Sequence, residues 1–167
     1  MELVIDACSI ILLAKATVLE KVAEWKEVII SQAVYEEVIE GKNKKFIDAL
    51  LLEKLIGENK INIQTGLKAE VKKKLVDDFC LGEGEAESIA IALNKKDNRI
   101  ITDNKQGRKA SKIYGLNLIG SIEVIVSLFK LKRITKEKAL GALAVLKEVG
   151  WFQEHLIEEA LMEVKDE

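Results

Sequence analysis

Short apolar runs alternate with segments of helical periodicity along this chain of 167 residues. Four runs are predicted to be strands, at residues 2–5, 28–30, 99–102 and 117–119, and a fifth at 61–63 is predicted to be a brief strand or an extended turn. Apolar residues recurring at helical spacing predict helices at 9–15, 18–24, 32–40, 46–56, 67–79, from 84 onward, 105–114, 121–129, 135–148 and 153–164. This alternation predicts an α/β fold in which helices cover both faces of a parallel sheet.

Polar residues and glycines mark several predicted helix boundaries. Ser31 and Ser121 are predicted N-caps, because a hydroxyl oxygen can accept a free backbone N–H of the following helix. Gly57 and Gly115 are predicted to end helices. The sequence contains no repeat or linker, so a single domain over residues 1–167 is predicted, with a helical C-terminal part over about 121–167.

Composition limits the function classes. No apolar run approaches the roughly 20 residues that span a bilayer, and a strand pattern stands where a secretory leader needs basic residues, so a cytoplasmic location is expected. Cys8 and Cys80 are far apart and are predicted to be reduced thiols. The net charge of -2 does not by itself indicate a nucleic-acid binder, although the local distribution of charge can differ. The lysines at 72–74 are interpreted as a solvated helix face, with a phosphate-contacting rim as the alternative.

Two aspartates stand at the ends of predicted strands. Asp6 follows the first apolar run directly, and Asp103 follows the run at 99–102. Ligands of α/β sheets collect outside the carboxyl ends of parallel strands, so both aspartates are candidates for one active site. Each also has a structural interpretation, since Asp6 can cap the next helix and Asp103 can form an Asx turn with Asn104.

Two glutamates on predicted helices complete a set of four candidate carboxylates. In the helix after the second strand, Glu37 shares a face with apolar residues, whereas Glu36 lies about 100° away around the helix. Glu85 opens the helix that precedes the fourth strand, where spacing alone leaves Glu83 and Glu87 equally open. The structural alternatives are a surface role for Glu37 and complementation of the helix dipole by Glu85.

Other common catalytic arrangements are missing from the sequence. His155 is the single histidine, no serine stands in a G-x-S-x-G motif, and no glycine-rich phosphate-binding motif occurs. Clustered carboxylates instead suit Mg²⁺ or Mn²⁺, which prefer oxygen ligands and offset the repulsion between acidic groups. Such ions lower the pKa of a bound water and stabilise charge on a phosphodiester, so hydrolysis of a phosphate ester is the predicted reaction class.

Several motifs, taken in their order and spacing, resemble those of the PIN domain family of metal-dependent nucleases. Within that family they are most similar to small prokaryotic proteins related to toxin–antitoxin ribonucleases. The similar segments are VIDACS at 4–9, SQAVYEEV at 31–38, LGEGEAESIAIA at 81–92 and IITDN at 100–104, followed by Arg108, Ala110, 120–121 and 150–152.

The resemblance implies a three-layer α/β/α sandwich around a central parallel sheet. It places the metal-binding and catalytic carboxylates at Asp6, Glu37, Glu85 and Asp103, and so selects Glu85 among the neighbouring glutamates. It implies supporting roles for Ser9, Thr102, Asn104 and Arg108. Of these, Arg108 is a candidate for holding a phosphate.

Two positions depart from the family pattern. Cys8 stands where a small polar residue is usual, and Asn104 stands where many members carry a further acidic residue. Asn104 can ligate a metal but adds no negative charge, and both changes are expected to weaken metal binding and lower activity.

The residues and the resemblance together predict a Mg²⁺- or Mn²⁺-dependent endoribonuclease that hydrolyses single-stranded RNA. A homodimer is expected, as is a toxin-type role with a small antitoxin protein as partner. The rival hypothesis is a non-catalytic PIN-fold module that binds RNA or protein, which the acidic balance and the changes at Cys8 and Asn104 favour. A phosphatase of the haloacid-dehalogenase type also begins with a strand and an aspartate, but Cys8 stands where its second aspartate is required.

Overall fold

A computed structural model of the protein describes residues 2–40, 46–65, 69–94 and 97–167. The strands in these ranges are β1 (Leu3–Ile5), β2 (Val28–Ser31), β3 (Ile61–Gln64), β4 (Arg99–Ile101) and β5 (Asn117–Ile119). The helices are α1 (Ala7–Lys15), α2 (Leu19–Trp25), α3 (Gln32–Ile39), α4 (Ile47–Gly57), α5 (Ala69–Phe79), α6 (Glu83–Leu93), α7 (Lys105–Ile113), α8 (Ser121–Lys130), α9 (Lys136–Val149) and α10 (Glu154–Asp166). The predicted alternation is confirmed, except that residues 67 and 68 of one predicted helix lie outside the described ranges.

The strands form one all-parallel sheet in the order β3-β2-β1-β4-β5. The chain therefore runs outward from β1 on one side and then crosses over to β4 on the other. The resulting switch point lies between the carboxyl ends of β1 and β4, which is where open α/β sheets bind their ligands.

Alternation of side chains along the strands divides the core into two layers. Leu3 and Ile5 belong to the larger layer, which they share with residues of α1, α2, α3, α4, α8, α9 and α10. Val4 belongs to the smaller layer, formed with residues of α5, α6 and α7. The predicted three-layer α/β/α sandwich is confirmed. Within the described parts of the chain, no helix is both long enough and apolar enough to cross a membrane.

Two of the four predicted helix-end residues, Ser31 and Gly115, have the predicted role. Ser31 is the N-cap of α3, and its Oγ accepts the Val34 N–H at 3.1 Å. Gly115, at φ 67°, adopts the left-handed conformation just after α7, as predicted for a glycine that ends a helix. The prediction for Gly57 was displaced by two residues. It is the last residue of α4, and Asn59, at φ 56°, makes the left-handed turn instead.

Candidate metal centre

Ser9 joins the carboxylates of Asp6 and Asp103 at the switch point. Asp6 is the N-cap of α1, and its Oδ1 accepts the Ser9 backbone N–H at 2.8 Å. The Ser9 hydroxyl donates to Asp103 Oδ2 at 2.9 Å. The capping role considered for Asp6 is thus present, but it occupies only one of the two carboxylate oxygens.

The second oxygen of Asp6 is buried without a hydrogen bond. Asp6 is 1% exposed, and neither its Oδ2 nor the nearby Thr102 Oγ1 forms a well-aligned hydrogen bond with a described residue. Burial raises the pKa of Asp6 from 3.8 to about 6, although the nearby Thr102 hydroxyl and the Ser9 groups act to lower it. An unsatisfied buried carboxylate is costly, and a bound cation would remove that cost.

Asp6→Asn is expected to stabilise the metal-free protein at neutral pH. An acidic group whose pKa is higher in the folded protein than in the unfolded chain contributes its full stability below the unfolded pKa. That contribution is lost as the pH rises through the folded pKa. For Asp6 that loss falls between the ordinary value of 3.8 and about 6. Above this window the charged form costs on the order of 3 kcal/mol, which a neutral amide of the same shape avoids in part.

Urea unfolding in EDTA measures the effect. Near neutral pH the variant should gain roughly 1–2 kcal/mol, and near pH 4 the gain should be small, since the native carboxyl is then protonated. Asp77→Asn, at an exposed position on α5, makes the same change of charge and should have little effect at either pH. A gain that does not depend on pH would contradict the account of Asp6.

The first turn of α8 holds Asp103 in place. The Ser121 N–H donates to Asp103 Oδ1 at 2.9 Å and to Oδ2 at 3.2 Å, and the Ser121 hydroxyl donates to Oδ2. The predicted capping role of Ser121 was therefore wrong. Gly120 is the N-cap of α8, and the Glu123 carboxylate accepts its N–H at 3.1 Å.

Ser121 is a site residue that sequence reasoning missed. It comes directly after Gly120, which follows β5, and β5 lies beside β4 in the sheet. A hydroxyl at the carboxyl end of the neighbouring strand is the signal that could have placed it beside Asp103.

The other two supporting residues beyond Asp103 are held by local contacts. Asn104 is the N-cap of α7, and its Oδ1 accepts the Gly107 N–H at 2.9 Å, so its amide oxygen is used in capping. The Arg108 guanidinium donates to the Thr102 carbonyl at 3.1 Å and lies 3.6 Å from Glu123 Oε1. Arg108 is thereby fixed close to Asp103 with donors remaining.

Glu37 and Glu85 lie on the facing helices α3 and α6. Close approach of these helices depends on Gly84, where a Cβ atom would lie 3.2 Å from both Glu37 Oε2 and Val34 Cγ2. Glu37 is exposed, yet partial desolvation and the negative charge of Glu85 raise its pKa. Glu36 contacts a different residue, because its Oε1 accepts a hydrogen bond from Gln32 Nε2 at 2.8 Å.

Contacts with a lysine distinguish the three glutamates at the start of α6. Lys72 Nζ lies 2.9 Å from Glu87 Oε1 and 3.4 Å from Glu83 Oε2. Glu85 has no ion-pair partner among the described residues, and its Oε2 accepts the Gly82 N–H at 2.9 Å. Lys72 is half-buried in these contacts, so the solvated-face interpretation of the lysine run fits Lys73 and Lys74 only.

The thiol of Cys8 responds to all four candidate carboxylates. Its pKa is raised to about 12, first because neighbouring groups displace water from it even though the residue is exposed overall. The remaining causes, in decreasing order, are the charges of Asp6, Asp103, Glu85 and Glu37. Each of the four carboxylates therefore lies within electrostatic range of the start of α1.

The side chains do not enclose an ion as they stand. Among the described residues, no three His, Cys, Asp or Glu side chains lie close enough together to bind one metal. Like charges without a cation repel one another, and the exposed Glu37 has room to rotate. By donor chemistry the set fits a hard divalent cation, since it offers carboxylate oxygens, one of which is buried and unsatisfied.

The protein is an all-parallel α/β/α sandwich with two aspartates at its switch point, and so belongs to the class of open-sheet proteins that bind ligands outside the carboxyl ends of their strands. A family model described as a PIN domain matches residues 2–166, nearly the whole chain, so the chain belongs to the PIN domain family. The predicted family is confirmed. PIN domains are generally nucleases and typically use divalent metals. Comparison with curated proteins and with solved structures gave no match.

Proposed function

We propose that this protein is a Mg²⁺- or Mn²⁺-dependent endoribonuclease that hydrolyses phosphodiester bonds of single-stranded RNA. The observation that carries the proposal is the buried, unsatisfied Oδ2 of Asp6, whose carboxylate Ser9 links to that of Asp103 at the switch point. Membership of the PIN domain family supports the nuclease class. The metal-dependent cleavage of single-stranded RNA is a proposal beyond that class.

In this proposal the metal is held by Asp6, Glu37, Glu85 and Asp103. A divalent ion bound there would lower the pKa of a water molecule and offset charge on the phosphate. Ser9 and Ser121 orient Asp103, because three of their polar groups donate to its oxygens. Such positioning matters, since metal ligands need their own hydrogen-bond partners to keep their orientation.

Arg108 is proposed to bind the phosphate of the substrate. Its contacts with the Thr102 carbonyl and Glu123 fix the guanidinium beside Asp103. A guanidinium has five N–H donors, so several remain to bind phosphate oxygens. The role is electrostatic, since an arginine does not release its proton at ordinary pH.

One observation favours the non-catalytic alternative, in which the fold binds RNA or protein without cleavage. The Asn104 amide oxygen caps α7, so the position that many family members fill with an acidic residue contributes neither charge nor a free oxygen. The four carboxylates and the unsatisfied Asp6 oxygen weigh more heavily, because a binding module has no need to bury an acidic group at this cost.

Further parts of the proposal rest on the sequence and on the family resemblance. They are a toxin-type role, a small antitoxin protein as partner, a homodimer, a cytoplasmic location and a single domain over residues 1–167. The described helices are consistent with a protein that does not span the membrane by a helix.

A cleavage assay tests the proposed activity. Purified protein is incubated with a labelled single-stranded RNA in Mn²⁺, in Mg²⁺, and in EDTA. Cleavage that requires a divalent ion supports the proposal, whereas RNA left intact in both metals would overturn it. Cleavage that persists in EDTA would indicate a contaminating ribonuclease, because such enzymes act through the 2′-hydroxyl without metal.

A further inference from the structure

A cleft of about 750 Å³ opens beside Asp103. It is lined by α7, by the turn at residues 150–153 between α9 and α10, and by the first turns of α8 and α10. Its volume lies within the range of known ligand sites. Since Asp103 lines the cleft, a ligand held in it would lie next to the candidate metal centre.

The α7 wall is basic although the whole chain is acidic. It carries four cations at helical spacing, on one face: Lys105, Arg108, Lys109 and Lys112. Two acidic residues also line the cleft, Asp103 and Glu123, and Glu123 pairs with Arg108. The three lysines are exposed and form no ion pair with any described residue. The wall therefore presents unneutralised positive charge that suits a polyanion.

The turn at residues 150–153 presents an aromatic ring to the cleft. Trp151 is fully exposed, at 103% of its reference area, in a turn that is anchored by its neighbour. The ring of Phe152 packs against the core and lies directly over Gly150, where a Cβ atom would be only 2.2 Å from Phe152 Cε2. The partly buried Phe152 ring thus fixes a turn that leaves the Trp151 ring open to a ligand. Exposed aromatics beside a basic groove are the elements that bind single-stranded nucleic acid.

We propose that this cleft binds single-stranded RNA, with backbone phosphates on Lys105, Lys109 and Lys112 and one base stacked on Trp151. The inference rests on the proposed function and extends it to the path of the substrate past Asp103. An unpaired strand is required, because bases inside a duplex are stacked on each other and cannot reach an indole ring. An acidic protein segment would use the lysines but would leave the indole without a stacking partner.

Fluorescence isolates the stacking contact. The chain has two tryptophans, so Trp25→Phe leaves Trp151 as the only indole, and EDTA prevents cleavage during the titration. Decauridine is expected to quench this fluorescence, and the matching duplex with decaadenosine is expected to quench it far less. In labelled-RNA anisotropy, Trp151→Ala should weaken binding of decauridine by about tenfold, and Trp151→Phe should retain most of the affinity.

Salt dependence isolates the phosphate contacts. Replacing Lys109 and Lys112 with alanine should reduce the slope of log affinity against log salt by about 1.4, since each phosphate contact on a single strand contributes about 0.7. The matched control replaces Lys73 and Lys74, which are exposed on α5, and its slope should equal that of the wild type. Circular dichroism verifies that each variant is folded.

The possible outcomes distinguish a failure of the cleft proposal from a failure of the proposed nuclease activity. RNA that binds without quenching, an unchanged affinity in Trp151→Ala, or equal quenching by duplex would overturn the cleft proposal even if the protein cleaves RNA. Equal quenching by polyglutamate would overturn it in favour of an acidic protein partner. Quenching by decauridine in a protein that cleaves nothing would support the cleft and overturn only the nuclease.

Discussion

Asp103→Asn is expected to reduce the rate of metal-dependent RNA cleavage by about a thousandfold or more while the fold is retained. The substitution removes the charge of a carboxylate at the switch point but keeps its shape. The amide oxygen can still accept the Ser121 N–H, and the hydroxyls of Ser9 and Ser121 can rotate to accept from the new amide N–H. The loss of cleavage rate therefore measures the effect of removing the charge of Asp103, because the hydrogen bonds of the site can be kept. Initial rates with labelled RNA in Mn²⁺ measure it.

Asp77→Asn provides the matched control, because it removes one negative charge from an exposed position on α5. Its cleavage rate should stay within about twofold of the wild type, as expected for surface changes away from the site. If Asp103→Asn kept most of its activity while correctly folded, the assignment of Asp103 to the catalytic machinery would be wrong.

Gly120→Ala is expected to reduce cleavage by about a hundredfold, since Asp103, Glu123 and Arg108 all converge on this glycine. A Cβ atom there would lie 2.7 Å from Asp103 Oδ1, 2.8 Å from Glu123 Oε2 and 2.9 Å from Arg108 Nη1. To accommodate this Cβ atom, the side chains of Asp103, Glu123 and Arg108 have to move by several tenths of an ångström. All three residues belong to the proposed site or support it. Cleavage rates and urea unfolding of the same preparation measure the two effects.

Gly141→Ala is the matched control for this substitution. It lies within α9 with nothing inside 4 Å of its Cβ position, so the added methyl meets no neighbour. Alanine in a helix interior should stabilise the protein by roughly 0.5–1 kcal/mol and leave cleavage unchanged. Equal activity in the two alanine variants would show that the crowding around Gly120 does not matter for function.

The strands of the sheet were predictable because each has a recognisable local sequence pattern. Buried parallel strands are continuous apolar runs, and the runs around Val4, Ile29 and Ile100 stand out from the helical periodicity around them. The strand order was not predictable in the same way. It depends on packing between distant segments, and the sequence pattern alone does not encode which strand lies beside which.

The candidate carboxylates were predictable in part. Asp6 and Asp103 stand at strand ends, which is a local signal, and Ser9 is found to join them. The choice of Glu85 over its neighbours needed the family resemblance, because the spacing of residues in the sequence does not show which glutamates form ion pairs. Only the packing of α5 against α6 shows Lys72 occupied with Glu83 and Glu87.

Features built from distant segments were missed. The bond from Ser121 to Asp103 joins residues 18 positions apart, and the sequence suggested a cap because serine before an apolar run usually is one. The basic cleft is lined by both α7 and Trp151, which are separated along the chain by β5, α8 and α9. A net charge of -2 conceals such a local surplus of positive charge, which only the fold assembles.

Titration with Mn²⁺ by calorimetry tests the central claim, that the carboxylates of Asp6, Glu37, Glu85 and Asp103 bind a divalent metal. The wild type is predicted to show saturable binding at micromolar to millimolar concentration, with Asp6→Asn and Asp103→Asn binding at least about tenfold more weakly. Asp77→Asn should bind like the wild type. A wild-type protein that binds no Mn²⁺ at millimolar concentration, or aspartate variants that bind it equally well, would contradict the claim.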